Sequence, residues 1–431
     1  MVSDKPIRIG LLARNRNQKS TDRKSLKGAS EGGYISEFLT YVLRPLLHEI
    51  VKYNIKIVTN AGGLDPLACK SAIESLVKDL DLDGKVIVAA VTGDDILDKV
   101  HNDNELLKFS HIQGNSEDTE WFPLGDKKVI SLNTYLGAIP IVKALNSGAN
   151  IVVTGRCVDS ALVLGPLIHE FSWDPYNDWD LLASGSLAGH IIECGCQATG
   201  GNFTDWRQSA FSPDGGWNNM GYPIVEYFKD GEFFVTKPKY TGGLVTPATV
   251  GEQMVYEILD PGTYILPDVI LDLRGVKLKQ VGENKVLVTG AKGRAPTKYL
   301  KVSGIYSDGY KMTGQLVIGG IDAWNVNVEV LGAEHTYGGL GRPHPSPCLV
   351  HFARLISKDS VSSFVVVGNE SSEKVTFDGP THNDNIIPPP LPKIPNEMDG
   401  KIDSGMMIKV PLIKLAWGRS GDKGDVCNIG E

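Results

Sequence analysis

The chain of 431 residues carries 43 Lys and Arg against 51 Asp and Glu, a net charge of −8, and its basic residues are scattered rather than drawn into a stripe, so a nucleic-acid backbone has little to hold. A hydrophobic share of 42% and a charged share of 22% are those of a globular protein of about two to three domains. No apolar run reaches ~18 residues and the opening MVSDKPIRIGLL lacks the basic and apolar regions of a signal peptide, so neither membrane nor export is expected and the chain reads as cytoplasmic.

In chain order, the first 175 residues repeat one theme, a short β-branched run, a polar or glycine turn, and an amphipathic stretch. The runs are IRIGLL, IKIVTNAGG, KVIVAAVTGDD, KVISLN and NIVVTGR, with helical patterns such as LDPLACKSAIESLVKDL and TYLGAIPIVKALNSG between them. This alternation predicts an α/β fold with an open, mainly parallel, Rossmann-like sheet and helices on both faces. The basic run 14–27 reads as a solvated loop.

In such sheets, ligands gather at the carboxyl ends of the strands, where loop amides and helix N-termini converge. The residues placed there are Asn60, Gly62 and Gly63, Asp94 and Asp95, Asn133, and Thr154, Gly155 and Arg156. Amide donors, two acids and one arginine suit a small polar, anionic ligand. Neither GxGxxG after a strand nor GxxxxGK[ST] is present, so a dinucleotide or P-loop site has no support and no cofactor is expected.

LLASGSLAGHIIEC fits a helix. Ser186, His190 and Cys194 fall one turn apart on one stripe with Glu193 beside it, and Gly185 and Gly189 on the adjoining line allow close backbone approach, which predicts a helix buried against the sheet. His190 titrates near working pH, so it is a candidate general acid or base oriented by Glu193 or by a strand-end acid such as Asp159. The turn Thr199, Gly200, Gly201, Asn202 offers backbone N–H groups for a carboxylate or a developing oxyanion. The competing reading is a helix C-cap with a satisfied core histidine.

Metal binding has weaker support, because neither HExxH nor paired CxxC appears; no metal ligands are assigned. Six cysteines in so long a chain are too few for a disulfide framework, and Cys194 and Cys196 are separated by one residue where knuckles and redox motifs use two.

From about Asn218 short alternating runs predict an antiparallel α+β region. The resulting division is 1–215 for the α/β unit, 216–382 for an α+β continuation of the same core, 383–405 for a stiff proline-rich linker and 406–431 for the start of a further unit. The loop GGLGRPHP at 338–345 presents Arg342 as a clamp for an anionic group or merely turns a corner, and RSGDKGD at 419–425 reads equally as an anion nest or a surface turn.

The segments NAGGLDP (60–66), VTGDD (91–95), NTYLGAIPIVKALNSGANIVVTGRCVDSALVLGPLIHEF (133–171), DWDLLASGSLAGHIIECGCQATGGNFTDW (178–206), YTGGLVTPATVGEQMVYEILDPGTYILPDV (240–269), GAKGRAPT (290–297) and GLGRPHP (339–345) resemble the acyclic terpene utilisation family over nearly the whole chain. Two departures stand out. Members follow the first strand with a glycine-rich turn and a further β/α segment, whereas here it runs into LLARNRNQKSTDRKS; and RSGDKGDVCNIG opens a ferredoxin-like C-terminal domain in longer members, so an incomplete C-terminal domain is expected. The resemblance implies catabolism of branched acyclic terpenoid acids, with coenzyme A entering as part of a thioester substrate. With the residues above it suits hydratase or lyase chemistry beside an activated carbonyl. The alternatives are a non-catalytic ligand-binding or structural subunit and a metal-dependent hydrolase. The partner expected is a small acidic or thioester substrate, with a homo-oligomer in keeping with the apolar content.

Overall fold

The computed structural model describes residues 6–10, 33–102, 109–110, 127–311, 346–381, 419–423 and 426–430. The basic run 14–27, the loop 338–345 with Arg342, and the proline-rich stretch 383–405 lie outside the described residues.

The sheet that organises the molecule has five strands in the order Glu373–Val375, Ser363–Val367, Val88–Thr92, Ile151–Thr154, Ile57–Thr59. Only the last three are mutually parallel; Ser363–Val367 runs antiparallel to Val88–Thr92, and Glu373–Val375 antiparallel to it in turn. The fold is therefore mixed α/β, and the expected mainly parallel sheet is corrected to a three-stranded parallel core with an antiparallel flank. Helices do cover both faces. Val88, Ala90, Ile151 and Val153 pack with Leu43, Leu47, Ile73 and Leu76 on one side, while Ala89, Val91 and Val152 face Ile141, Leu145 and Leu164 on the other.

Two of the five early runs joined other sheets. Ile7–Gly10 pairs antiparallel with Ile224–Tyr227, and Val129–Thr134 pairs antiparallel with Tyr299–Lys311. The reason lies in the side chains. Val88–Thr92 and Ile151–Thr154 are buried on both faces, as a covered parallel sheet demands, whereas Ile7–Gly10 alternates half-buried and exposed and Val129–Thr134 buries only part of its length. A one-sided strand satisfies an antiparallel sheet with one wet face.

The remaining strands form a five-stranded antiparallel sheet, Ile7–Gly10, Ile224–Tyr227, Phe233–Thr236, Lys285–Thr289, Lys277–Gly282; a three-stranded sheet, Lys292–Arg294, Ile270–Asp272, Tyr264–Ile265; and a four-stranded sheet built on Tyr299–Lys311 and Ser346–Ser357. The RSGDKGDVCNIG stretch contributes a hairpin, Arg419–Lys423 with Val426–Gly430.

The helix Trp179–Ile192 is buried from Leu182 to Ile192. It does not lie on the parallel sheet. It packs between the helix Ala161–Phe171 and the three-stranded sheet. Gly189 takes the closest approach, since a Cβ there would stand 2.7 Å from the Cα of Ser160, so the glycine line seats this helix against the turn that follows Ile151–Thr154. That contact brings the C-terminal end of the helix to the carboxyl edge of the parallel strands.

Candidate active site

At the edge, the chain leaving Ile151–Thr154 turns through Gly155, Arg156 and Asp159. Asp94, at the end of Val88–Thr92, is buried and ties this turn down: its Oδ2 accepts the Arg156 amide at 2.8 Å and the Asn133 side-chain amide at 2.8 Å. Gly155 is required because a Cβ would collide with the Asp94 carboxylate. Thr134 donates its amide to the Asp94 carbonyl at 2.7 Å, and Asp95 accepts the Leu97 amide at 3.1 Å at the start of the helix Leu97–Asn102. Asn133 thus reaches the edge from the four-stranded antiparallel sheet. Asp94, Asp95, Asn133, Thr154 and Gly155 build the scaffold of the edge, their polar groups held by one another.

Beyond the scaffold, Asn60 donates its side-chain amide to Asp159 Oδ1 at 3.3 Å, and Arg156 Nη1 lies 3.6 Å from the same oxygen. The Arg156 guanidinium rests on the Tyr135 ring at 4.0 Å. Gly62 and Gly63 shape the loop after Ile57–Thr59: a Cβ on Gly62 would stand 2.6 Å from the Thr154 carbonyl oxygen, and one on Gly63 2.6 Å from that of Gly33.

The helix Trp179–Ile192 delivers His190 and Glu193. His190 Nδ1 lies 3.3 Å from Glu193 Oε1, with the two groups off the hydrogen-bond line, and neither ring nitrogen has an aligned partner among the described residues. Burial opposes a charge on the ring, but Glu193, Glu257 and the Met254 backbone outweigh it and hold the His190 pKa above its ordinary value. Burial pushes Glu193 up, and Asp159 and Glu257 add to that, while His190 pulls the other way. Each group thus acts on the other's protonation, His190 being raised by Glu193 and Glu193 lowered by His190. Side-chain exposure orders them: 2% for His190, 14% for Glu193, 21% for Asp159. Glu193 and Asp159 keep partial access to solvent, and His190 is the closed-off partner of Glu193.

Two residues enter that periodicity did not reveal. Tyr264 sets its ring edgewise to His190 at 5.4 Å between centroids, and Glu257 holds a left-handed backbone with φ +64 while its charge acts on His190, Glu193 and Tyr264. Both come from the segment after the helix Pro247–Met254, about 70 residues beyond His190 in the chain, and the only local signal was the Asp260-Pro261-Gly262 turn that precedes Tyr264.

The turn after the helix has a different occupation from the one expected. The amides of Thr199, Gly200 and Gly201 donate to the carbonyls of Cys196, Gln197 and Cys196 within their own turn, and the Thr199 hydroxyl donates to the Gly221 carbonyl at 2.6 Å. These amides are committed before any ligand arrives, which removes the physical basis for an anion nest there; Asn202 sits in the same turn. The cysteines are no nucleophiles either where burial dominates, since it pushes Cys157 and Cys69 up to about 12. Among the described residues no group of three or more His, Cys, Asp and Glu is arranged to hold a metal ion, and no helix is long and apolar enough to cross a membrane. A separate cavity of about 380 Å³ is lined by Ser212, Lys237, Val245 and Asn284 among others; Lys237 donates to the Thr241 carbonyl, and Asn284 and Ser212 accept the Val245 and Gly243 amides.

A family model described as acyclic terpene utilisation family protein AtuA matches residues 10–326. The chain belongs to the acyclic terpene utilisation family. Membership implies a role in the use of acyclic terpenes. The span matched to the family contains Asn60, Asp94, Arg156, Asp159, His190, Glu193, Glu257 and Tyr264, and ends before Arg342. Searches among curated proteins and among solved structures returned no match.

Proposed function

We propose that this member of the family is an enzyme that moves a proton at the carbon next to an activated carbonyl, in the breakdown of branched acyclic acids carried as coenzyme A thioesters. The observation that carries the reading is the Glu193 carboxyl group, partly accessible, with its pKa raised by burial and set 3.3 Å from the buried His190. A carboxylate with an elevated pKa is a stronger base than one in water, and a protonated one is an acid usable near neutrality. Glu193 meets the substrate; His190 holds it and takes up part of the charge. Asp159, fixed by Asn60 and Arg156, is the second carboxylate, placed to direct water or a second proton. Arg156, stacked on Tyr135 and 3.6 Å from Asp159, brings positive charge to the same edge, which favours a substrate with an anionic group. Addition or removal of water across the double bond of an enoyl thioester uses this same pair of steps, which supports a hydratase or lyase.

The test is incorporation of deuterium from D₂O into isovaleryl-CoA, read by mass spectrometry. The expected result is exchange at the carbon beside the thioester carbonyl, slowed about 10²-fold or more by Glu193→Gln. Tight binding of the thioester without exchange would instead favour a ligand-binding subunit.

A further inference from the structure

Proton abstraction beside a carbonyl leaves negative charge on the carbonyl oxygen, and a site that performs it needs a donor aimed at that oxygen. Several donors near Glu193 and His190 are already committed. The amides of Thr199, Gly200 and Gly201 close their own turn; those of Gly155, Arg156, Val158 and Glu193 go to Val91, Asp94, Leu136 and Gly189. The Asn60 amide goes to Asp159, and the Arg156 guanidinium lies against Asp159 and Tyr135. Among the described residues two nearby hydroxyls have no partner, Ser186 and Tyr264, and Ser186 is closed off at 1% exposure. Tyr264 makes no hydrogen bond through its phenol among the described residues, and it is half-buried where His190 is closed off.

We propose that the Tyr264 hydroxyl, beside the His190–Glu193 pair, is the hydrogen-bond donor to the substrate's carbonyl oxygen. This rests on the proton-transfer reading above. The ring's edgewise contact with His190 at 5.4 Å fixes the phenol relative to the acid–base pair, and its strand Tyr264–Ile265 is hydrogen-bonded to Ile270–Asp272 in the small sheet that also supports the helix Trp179–Ile192. Both partners are thus mounted on one packed unit, which is what preorganised stabilisation of a developing charge requires. Burial and the surrounding Glu193, Asp159, Glu257 and Cys194 keep the phenol protonated well above its ordinary range, so it remains a donor throughout the working range. In the step, the C–H bond beside the carbonyl breaks, its proton passes to the Glu193 carboxylate, the electron pair delocalises onto the thioester oxygen, and the Tyr264 O–H hydrogen-bonds to that oxygen without transferring its own proton. Nothing is oxidised or reduced.

Tyr264→Phe keeps the ring and its contact with His190 and removes only the hydroxyl, so the variant should melt with the wild type. Two readouts separate this proposal from the one beneath it. The first is deuterium exchange into isovaleryl-CoA, which should fall about 10²-fold in rate constant with little change in KM. The second needs no turnover: the ¹³C resonance of bound [1-¹³C]isovaleryl-CoA should move downfield relative to free thioester in the wild type, and that displacement should be lost in the Phe variant. Loss of the displacement upholds the role of Tyr264 even if the wild type exchanges no deuterium, in which case the proton-transfer reading alone falls. An unmoved resonance in the wild type, or one displaced equally in both proteins, overturns the role of Tyr264 even if exchange is fast.

Discussion

Glu193 and His190 are three residues apart on a helix end, and that spacing alone placed them side by side. What it left open was which of the two meets the substrate. His190 drew attention as the acid–base group because its ordinary pKa lies near neutrality, yet it is the more deeply buried partner, and Glu193 is the more accessible one. Since His190 lowers the Glu193 pKa against burial and the neighbouring acids, His190→Gln should raise it further. The expected outcome is a base limb of the exchange pH–rate profile displaced to higher pH, with the limiting rate at high pH largely kept. A purely structural histidine would lower the folded fraction and leave the limb in place. Asn60, Arg156 and Asp159 were legible too, because each lies in a turn that follows a short β-branched run. Tyr264 and Glu257 were not, since a two-residue strand and a residue in left-handed backbone carry no periodicity.

Among the elements, the early β/α alternation identified the parallel core but could not assign each run to its sheet. Ile7–Gly10 and Val129–Thr134 carry the one-sided burial of antiparallel strands, a distinction visible in Arg8 and in Ser131 yet masked by the flanking helical patterns. Another link was invisible because it is long-range. Ala138, at the start of the helix Ile139–Asn146, donates its amide to both oxygens of the buried Asp268 at 2.9 and 3.0 Å, across 130 residues. Gly137 makes room for that carboxylate. Burial pushes the Asp268 carboxyl up to about 6, with the Ala138 amide and Lys358 opposing. Because the folded state then binds this proton more tightly than the unfolded state, Asp268 contributes stability at pH 4 that is lost as pH rises through 6. Urea unfolding between pH 4 and 7 should show a loss on the order of 2–3 kcal/mol in the wild type from this group, and a flatter dependence in Asp268→Asn.

At the scale of the whole molecule, the division at residue 215 does not separate sheets. Val88–Thr92 pairs with Ser363–Val367, Val129–Thr134 with Tyr299–Lys311, and Ile7–Gly10 with Ile224–Tyr227. The later residues therefore complete the first unit's core and also bring Glu257 and Tyr264 to His190. This explains why the organisation of the site was only half readable: one wall follows the order of the chain and the other is supplied by topology. The account stands on the mutual influence of Glu193 and His190 on each other's protonation, and the most direct measurement is a ¹³C NMR titration of the Glu193 carboxyl carbon in the full-length chain, followed together with the His190 ring. Glu193 is expected to titrate above the ordinary glutamate range, with an inflection mirrored in the His190 resonances. An ordinary acidic titration of Glu193, independent of His190, would contradict the account.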